Sequence, residues 1–322
     1  MPERVLVTGA TGFVGSHVAE AFVRAGYEVC LGARASSDLR WVSTLDAERV
    51  PLDVSGNPQN ISRAVRRVDT IVHAAGITSA RRPGDYHAVN ADGTRRLAAA
   101  ALRAGVRRFV LVSSLAARGP DGRGQPESDY GWSKLAAERH LRSLEGRMET
   151  VVLRPAAVYG PRDTDLLPLF RLARAGWLPV PSQAAPLQPL YAGDAARAIL
   201  AAAREPAGFG PFPVAENGRY SWSDVVAGLG KTLGRPVRAA RLPAPAFVLA
   251  GRAAERAARA FSAVPPFDER RARDLALNSW TCDVSETGEA LGWRAEVPLL
   301  DGLGRTASWY GREGWLGMMK SR

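Results

Sequence analysis

The sequence predicts an α/β chain, a doubly wound parallel sheet followed by a smaller C-terminal lobe. Three observations predict it. Strand-like and helix-like runs alternate strictly through the first half, a glycine loop joins the first strand to the first helix, and the rhythm breaks beyond Pro155. Such alternation argues for parallel strands covered by helices on both faces.

Arg4 to Val7 is a short β-rich run, and Gly9 to Gly15 is the glycine loop. Phe13 to Ala25 then carries apolar residues at helical spacing, Val14, Val18, Phe22 and Val23. A second strand follows at Glu28 to Ala33, and further strands near Val50, Thr70 to His73, Arg108 to Ser113 and Thr150 to Arg154. Helix-like stretches around Ile61, Leu97 and Leu135 separate them. After Pro155, Pro161, Pro168, Pro179, Pro181, Pro186, Pro189, Pro206, Pro211 and Pro213 leave no regular alternation. Asp194 to Arg204 reads as a helix returning to the first lobe, and Tyr220 to Leu233 and Phe247 to Phe261 as helices of the second. The expected division is 1–165 with 190–205 for a dinucleotide-binding domain, and 166–189 with 206–322 for a substrate-binding lobe.

Composition narrows the function classes. The 322 residues are 46% hydrophobic and 23% charged, an ordinary globular balance. The formal net charge of +11 comes almost wholly from arginines scattered along the chain, and Lys134, Lys231 and Lys320 are the only lysines. Without a basic stripe, nucleic acid is not an expected partner, while an anionic phosphate cofactor is served by the same charges. Cys30 and Cys282 have no metal-ligand or redox spacing and read as buried free thiols, so no metal is expected. No leader pattern and no apolar run of the ~18 residues needed for a spanning helix is visible. The expectation is a cytoplasmic protein with a small-molecule substrate.

Thr8-Gly9-Ala10-Thr11-Gly12-Phe13-Val14-Gly15 sets three glycines at GxxGxxG spacing between a strand and a helix. Glycine permits the sharp turn and the approach of backbone N–H groups to a pyrophosphate, and the helix N-terminus adds partial positive charge. Gly9, Thr11, Gly12, Phe13, Val14 and Gly15 are therefore the expected cradle of a dinucleotide. The second strand ends in Leu31-Gly32-Ala33-Arg34, with an arginine where an acid would favour NAD. Arg34 tips the expectation to NADP, with NAD as the other possibility; the plain reading is a solvated surface charge. Asp53 and Val54, after the third strand, are placed for the adenine end, unless Asp53 merely forms a turn.

Tyr130-Gly131-Trp132-Ser133-Lys134 puts a phenol and an ammonium on one helix face, a turn apart. The lysine can favour the phenolate and contact the cofactor ribose, so that Tyr130 exchanges a proton with a substrate oxygen during hydride transfer. The plain alternative is a surface lysine beside a packing tyrosine, which the scarcity of lysine weakens. Ser113 and Ser114 end the fifth strand at the C-terminal sheet edge where ligands bind, or cap a turn there.

With these residues in view, the chain resembles the extended short-chain dehydrogenase/reductase superfamily. The resemblance is to the NAD-dependent epimerase/dehydratase group, together with the 3β-hydroxysteroid and dihydroflavonol reductase branches. It covers nearly the whole chain, through the glycine loop, His73-Ala74-Ala75-Gly76, Asn90-Ala91-Asp92-Gly93-Thr94, Ser113-Ser114, Tyr130 to Lys134, and Arg154-Pro155-Ala156-Ala157-Val158-Tyr159-Gly160-Pro161. The resemblance implies a Rossmann-type domain with Ser114, Tyr130 and Lys134 as catalytic residues. Ser114, five residues before Gly119, matches the substrate-polarising serine, with Ser113 as the fallback. Ala74, Ala75 and Gly76 match the backbone beneath the cofactor, Asn90 the asparagine joining central helix and strand, and Pro155 with Val158 the nicotinamide pocket. Arg34 matches the arginine of NADP-using reductases. The helices around Leu97 and Leu135, bearing Arg95, Arg96, Arg103 and Arg139, are those the superfamily pairs into dimers, which makes a homodimer an expectation by analogy.

Among the chemistries implied, dehydration lacks its acid pair, because Ser114 is followed by Leu115-Ala116-Ala117. Leu187-Gln188-Pro189 carries no charge where nucleotide-sugar enzymes place basic and acidic groups. Leu166, Leu167, Phe170, Trp177, Phe247, Val248, Leu249 and Phe261 make the second lobe apolar, as its own core or as a pocket. The expected reaction is hydride transfer to or from a ketone or secondary alcohol on an apolar skeleton. A nucleotide-sugar epimerase or reductase is the alternative, and a non-catalytic dinucleotide-binding scaffold a third reading.

Overall fold

The computed structural model describes residues 2–80, 82–120, 125–183, 185–260 and 269–316. In chain order the elements are β1 (Arg4–Thr8), α1 (Phe13–Arg24), β2 (Glu28–Ala33), β3 (Glu48–Pro51), α2 (Pro58–Ala64), β4 (Thr70–His73), α3 (Pro83–Tyr86), α4 (Asp92–Ala104), β5 (Arg108–Val112), α5 (Asp129–Arg142) and β6 (Glu149–Pro155). Then come β7 (Val158–Tyr159), α6 (Leu167–Ala175), β8 (Trp177–Pro181), β9 (Leu190–Tyr191), α7 (Ala192–Arg204), β10 (Phe212–Val214), α8 (Trp222–Leu233), β11 (Arg238–Leu242), α9 (Ala244–Ala260), α10 (Glu269–Leu277), α11 (Ser285–Leu291) and α12 (Leu299–Arg312). They form two compact units. The first comprises Met1–Ala156, Ala192–Ala215 and Asp283–Arg294, the second Ala157–Tyr191, Glu216–Cys282 and Ala295–Arg322.

The first unit is built on a seven-stranded sheet in the order β10-β6-β5-β4-β1-β2-β3. Every pairing is parallel. Strands buried on both faces read as unbroken apolar runs, and in β5 all of Arg108 to Val112 are buried. Helix α1 packs through Gly15, Ser16, Val18, Ala19 and Phe22, while Leu6, Ile71, Phe109 and Val152 meet Leu97, Ala101, Ala137 and Leu141 of α4 and α5. Helix α4 stops at Gly105, whose φ of 75° is the left-handed conformation that ends a helix without strain.

Where the sequence pattern predicts a first domain running to residue 165 and a second lobe holding all of 206–322, the compact first unit ends at Ala156 and takes in 206–215 and 283–294. Proline in a strand argues against a central position, but β10 is an edge strand pairing only with β6, where Pro213 is tolerated. Helix α11 is fastened to the same unit by the Thr287 hydroxyl, which donates to the Pro213 carbonyl at 2.6 Å. The Trp293 indole N–H donates to the Asp194 carbonyl at 3.2 Å.

The second unit pairs β8 with β11 and β7 with β9. Its core centres on Phe170 and Tyr310, both 0% exposed, whose rings meet edge-to-face at 5.1 Å. Phe170 and Phe247 are thus spent on the unit's own packing, whereas Trp177 and Leu249 are 48% and 61% exposed. Helix α8 starts in a capping box, with the Ser221 and Asp224 side chains each bonding the other's backbone N–H. Phe261 lies outside the described residues. Cys30 and Cys282 are buried and not joined in a disulfide. No helix among the described residues is long and apolar enough to cross a membrane.

One buried hydrogen-bond chain ties the sheet to α4. The Thr94 hydroxyl donates to the Asn90 carbonyl at 2.6 Å, so it can only accept from His73 Nε2 at 3.0 Å. The Thr8 hydroxyl accepts from the Ala75 N–H at 3.2 Å and donates to His73 Nδ1 at 2.6 Å. Proton counting therefore assigns the neutral Nε2–H tautomer. Burial first, and the nearby Lys134 charge second, push His73 from 6.5 down to about 3. The unfolded chain takes up this proton near 6.5 and the native state only near 3, so stability from this group is complete above that range and is lost as pH falls through it. His73→Gln keeps one donor and one acceptor but cannot titrate. In urea denaturation the variant should lose less stability than the wild type between about pH 7 and about pH 5; equal losses would exclude a neutral buried imidazole.

Candidate active site

The glycine loop is shaped by close backbone approach. Gly9 has φ of 68°, and a Cβ on it would lie 2.7 Å from the Ala75 backbone, while a Cβ on Gly15 would lie 2.0 Å from the Gly9 carbonyl oxygen. The loop closes by the Gly12 N–H to Gly9 carbonyl bond of 2.9 Å, and the Ala74 N–H reaches the Thr8 carbonyl at 3.2 Å. At the start of α1, Gly12 gives no side-chain cap and the first turn holds no acid. The orphan N–H groups around Phe13 and Val14 are thus left for an anion, which fits a pyrophosphate. Thr11 is half-buried beside them.

Beyond β2, Arg34 is exposed, and among the described residues no carboxylate pairs with its guanidinium. Its N–H donates to the Ser37 hydroxyl at 3.1 Å, which sets the turn. Asp53 also builds a turn, accepting from the Ser55 N–H at 2.8 Å, and its carboxylate is exposed. Val54 is buried against Gly93, where a Cβ would come within 2.8 Å of it. Arg96 locks the segment by donating to the Val54 carbonyl at 3.0 Å.

Helix α5 carries the proposed chemistry. Ser128 caps it, accepting from the Gly131 N–H at 3.1 Å. A Cβ on Gly131 would lie 2.4 Å from the Ala116 carbonyl, so glycine lets α5 press against the single turn Leu115–Arg118 that Ser114 caps. Ser114 is half-buried and accepts from the Ala116 N–H at 3.1 Å, which leaves its O–H to donate. Ser113 differs. It is 5% exposed and its hydroxyl donates to the Glu138 carboxylate, so of the pair only Ser114 offers its proton outward.

Lys134 sits one turn beyond Tyr130, 6% exposed, its ammonium donating to the Val112 carbonyl at 2.8 Å and lying 6.0 Å from the Tyr130 ring centre. Burial pushes it from 10.5 down to about 8, against the pull of the Glu138 carboxylate. The Tyr86 ring lies at 6.2 Å from the Tyr130 ring, tilted by 64°. Asn90 bridges three segments: it accepts from the Ile77 N–H at 2.9 Å and donates to the Ile77 carbonyl and the Ser133 hydroxyl, each at 3.0 Å. Ser133 in turn donates to the Tyr130 carbonyl at 2.7 Å. A Cβ on Gly76 would be 3.0 Å from Asn90 Oδ1 and 3.4 Å from the Lys134 ammonium, so this backbone passes directly over the lysine. Pro155 ends β6 in the first unit, and Val158 belongs to β7 of the second, paired with Leu190.

Two residues to which the sequence assigned no role are Glu138 and Arg154. Arg154 donates from Nε to Glu138 Oε1 at 3.0 Å and from Nη2 to Oε2 at 2.6 Å. Their signal was present, an acid four residues after Lys134 and an arginine directly before Pro155. No group of three or more metal-capable side chains occurs among the described residues.

A profile of the NAD dependent epimerase/dehydratase family matches residues 5–214. A ceramide reductase of Caulobacter vibrioides is 34% identical over 314 residues, covering 97% of this chain and 96% of the relative. A UDP-glucose 4-epimerase of Vibrio cholerae is 26% identical over 330 residues, covering 95% of each. Among solved structures, gox2253 superposes with a TM-score of 0.79 at 24% identity, covering 98% of this chain and 99% of that one. WbmG of Bordetella bronchiseptica, in complex with NAD, gives 0.76 at 23%, covering 100% and 98%. At those identities the structures bear on the fold alone. The match over the sheet and both motifs, with a relative aligned end to end, means that the chain belongs to the NAD dependent epimerase/dehydratase family.

Proposed function

We propose that the protein is an NAD(P)-dependent oxidoreductase that moves a hydride between a nicotinamide cofactor and a ketone or secondary alcohol on a largely apolar skeleton, with Tyr130 as general acid and base. The observation that carries this reading is the buried Lys134 ammonium, held on the Val112 carbonyl one turn from Tyr130.

The cofactor would rest on Gly9, Thr11, Gly12, Phe13, Val14 and Gly15, with Asp53 and Val54 toward its adenine end and Ala74, Ala75 and Gly76 beneath it. Bound there, a nicotinamide dinucleotide supplies or accepts the hydride. In reduction the Ser114 hydroxyl donates a hydrogen bond to the carbonyl oxygen, and Tyr130 gives that oxygen a proton as the carbon is reduced. The phenolate left behind faces the Lys134 ammonium, which offsets its charge. Since Lys134 is poised near 8, this support is present below that pH and lost above it. Arg34, exposed after β2, supports NADP over NAD.

The substrate class draws on two supports. The relative described as a ceramide reductase is aligned over nearly the whole chain, and a ceramide is a lipid bearing a secondary alcohol. The segment expected to be charged in a nucleotide-sugar enzyme is used internally: Gln188 is buried, donating to the Glu216 carbonyl at 2.7 Å and accepting from the Cys282 N–H at 2.8 Å. Leu187 exchanges backbone bonds of 2.7 and 2.8 Å with Tyr220. A nucleotide-sugar epimerase is the second reading, favoured by the end-to-end similarity to the Vibrio cholerae enzyme.

The deciding assay sets long-chain ketones, including a ceramide oxidised at a secondary alcohol, against UDP-glucose, with NADPH and NADH. Turnover should be confined to the ketones and fall at least ~10²-fold in Tyr130→Phe. Turnover of UDP-glucose alone would establish the second reading, and full activity in the variant would remove Tyr130 from the reaction. For the cofactor, Arg34→Ala should weaken NADPH binding by ~1.5–3 kcal/mol and leave NADH unchanged, measured by calorimetry. Equal losses would return the preference to NAD.

A further inference from the structure

Val112, the last residue of β5, and Ser113 directly after it engage two successive turns of α5: Val112 through its carbonyl to Lys134, and Ser113 through its hydroxyl to Glu138. Glu138 is 4% exposed and stands four residues after Lys134, on the same helix face. Its carboxylate accepts from Ser113 and takes both nitrogens of a fork from Arg154, whose side chain is 15% exposed, so it is held in one orientation. We infer that Glu138 is a positioning residue of the active site, whose charge, metered by Arg154 and Ser113, keeps the catalytic Lys134 protonated in its buried position.

The charges around Lys134 leave few other candidates for that task. On α5 itself stand Tyr130 and Glu138. From β4 comes His73, which is neutral by its hydrogen bonds, and from β5 only the Val112 carbonyl. From β6 comes Arg154, and from the segment before α4 the neutral Asn90 amide. Among these groups Glu138 is the carboxylate, bonded to Ser113 directly after the Val112 carbonyl that holds the ammonium. Arg154 has the opposite sign and lies on the far side of Glu138 in the bonding chain. A purely mechanical clamp between α5 and β6 would use the same contacts, but it would be weakened alike by neutralising either partner. The electrostatic role instead demands opposite responses: loss of the acid lowers the proton affinity of Lys134, and loss of the arginine, which frees the acid's charge, raises it.

The inference rests on the reading of Tyr130 and Lys134 as the catalytic pair, but its test needs no substrate. Because the chain has only three lysines, Lys231→Arg with Lys320→Arg leaves Lys134 as the sole lysine. Titration of carbon-13-labelled lysine by NMR in that background then reads its protonation directly, with and without NADP⁺. Glu138→Gln should lower the midpoint by about one pH unit, roughly a tenfold loss of proton affinity, and Arg154→Gln should raise it. Glu138→Asp should hold it near the wild-type value. Circular dichroism establishes that each variant is folded; should Glu138→Gln not fold, Arg154→Gln alone decides. An unchanged midpoint, or movement of both neutralising variants in one direction, overturns the inference. Failure of the ketone assay alone would sink the proposed substrate and leave this result standing.

Discussion

A lysine ammonium buried at the edge of a parallel sheet is held there against a large desolvation cost, and the first unit is organised around meeting that cost. The Val112 carbonyl meets one N–H of Lys134, Glu138 supplies opposite charge a turn away, and Gly76 brings a strand-end backbone across the top without a side chain in the way. Each comes from a different element. Only when β4, β5 and α5 are in register does the ammonium have its partners, so the same geometry that stabilises the fold poises the proposed chemistry.

The glycine loop and α5 share one hydrogen-bonded frame. Thr8, at the mouth of the glycine loop, is linked through His73 to Thr94, on to Asn90, and from Asn90 through Ser133 to the backbone of Tyr130. Every intermediate group in that path is buried, where an unmade hydrogen bond is costly, so the links are strongly enforced. The glycine loop adds a steric constraint of its own, since neither Gly9 nor Gly15 has room for a Cβ. The glycine loop and the Tyr130 backbone are therefore placed relative to one another by rigid elements, as the proposed hydride and proton transfers would require.

The arginine-rich composition separates two jobs for cations. Arg96 and Arg108 bond backbone carbonyls and Arg154 grips a carboxylate, tasks that suit a planar fork whose charge never titrates. At position 134 a compact ammonium is used instead, and burial moves its proton affinity toward neutrality, to about 8, which suits the phenolate support proposed for it. The scarcity of lysine in the sequence thus has a chemical reading at position 134, and it marks that residue more sharply than its spacing from Tyr130 alone.

What could be read from the sequence was whatever rests on local pattern. The alternation of apolar runs located the strands from Arg4 to Arg154, the glycine spacing between strand and helix located the loop, and the four-residue interval of Tyr130 and Lys134 put both on one helix face. Tertiary structure decided what depends on partners distant in the chain. Pro213 disguised β10 as a loop until its edge position beside β6 became visible, and 283–294 joined the first unit through bonds to Pro213 and Asp194 that no local window contains. Ser113 and Ser114 are chemically alike, and the resemblance ranks Ser114 first by its distance from Gly119; that the Ser113 hydroxyl is spent on Glu138 is visible only in the tertiary structure. Glu138 itself reads as an ordinary helical acid in sequence, because its burial, its fork with Arg154 and its field on Lys134 arise only where α5, β5 and β6 meet.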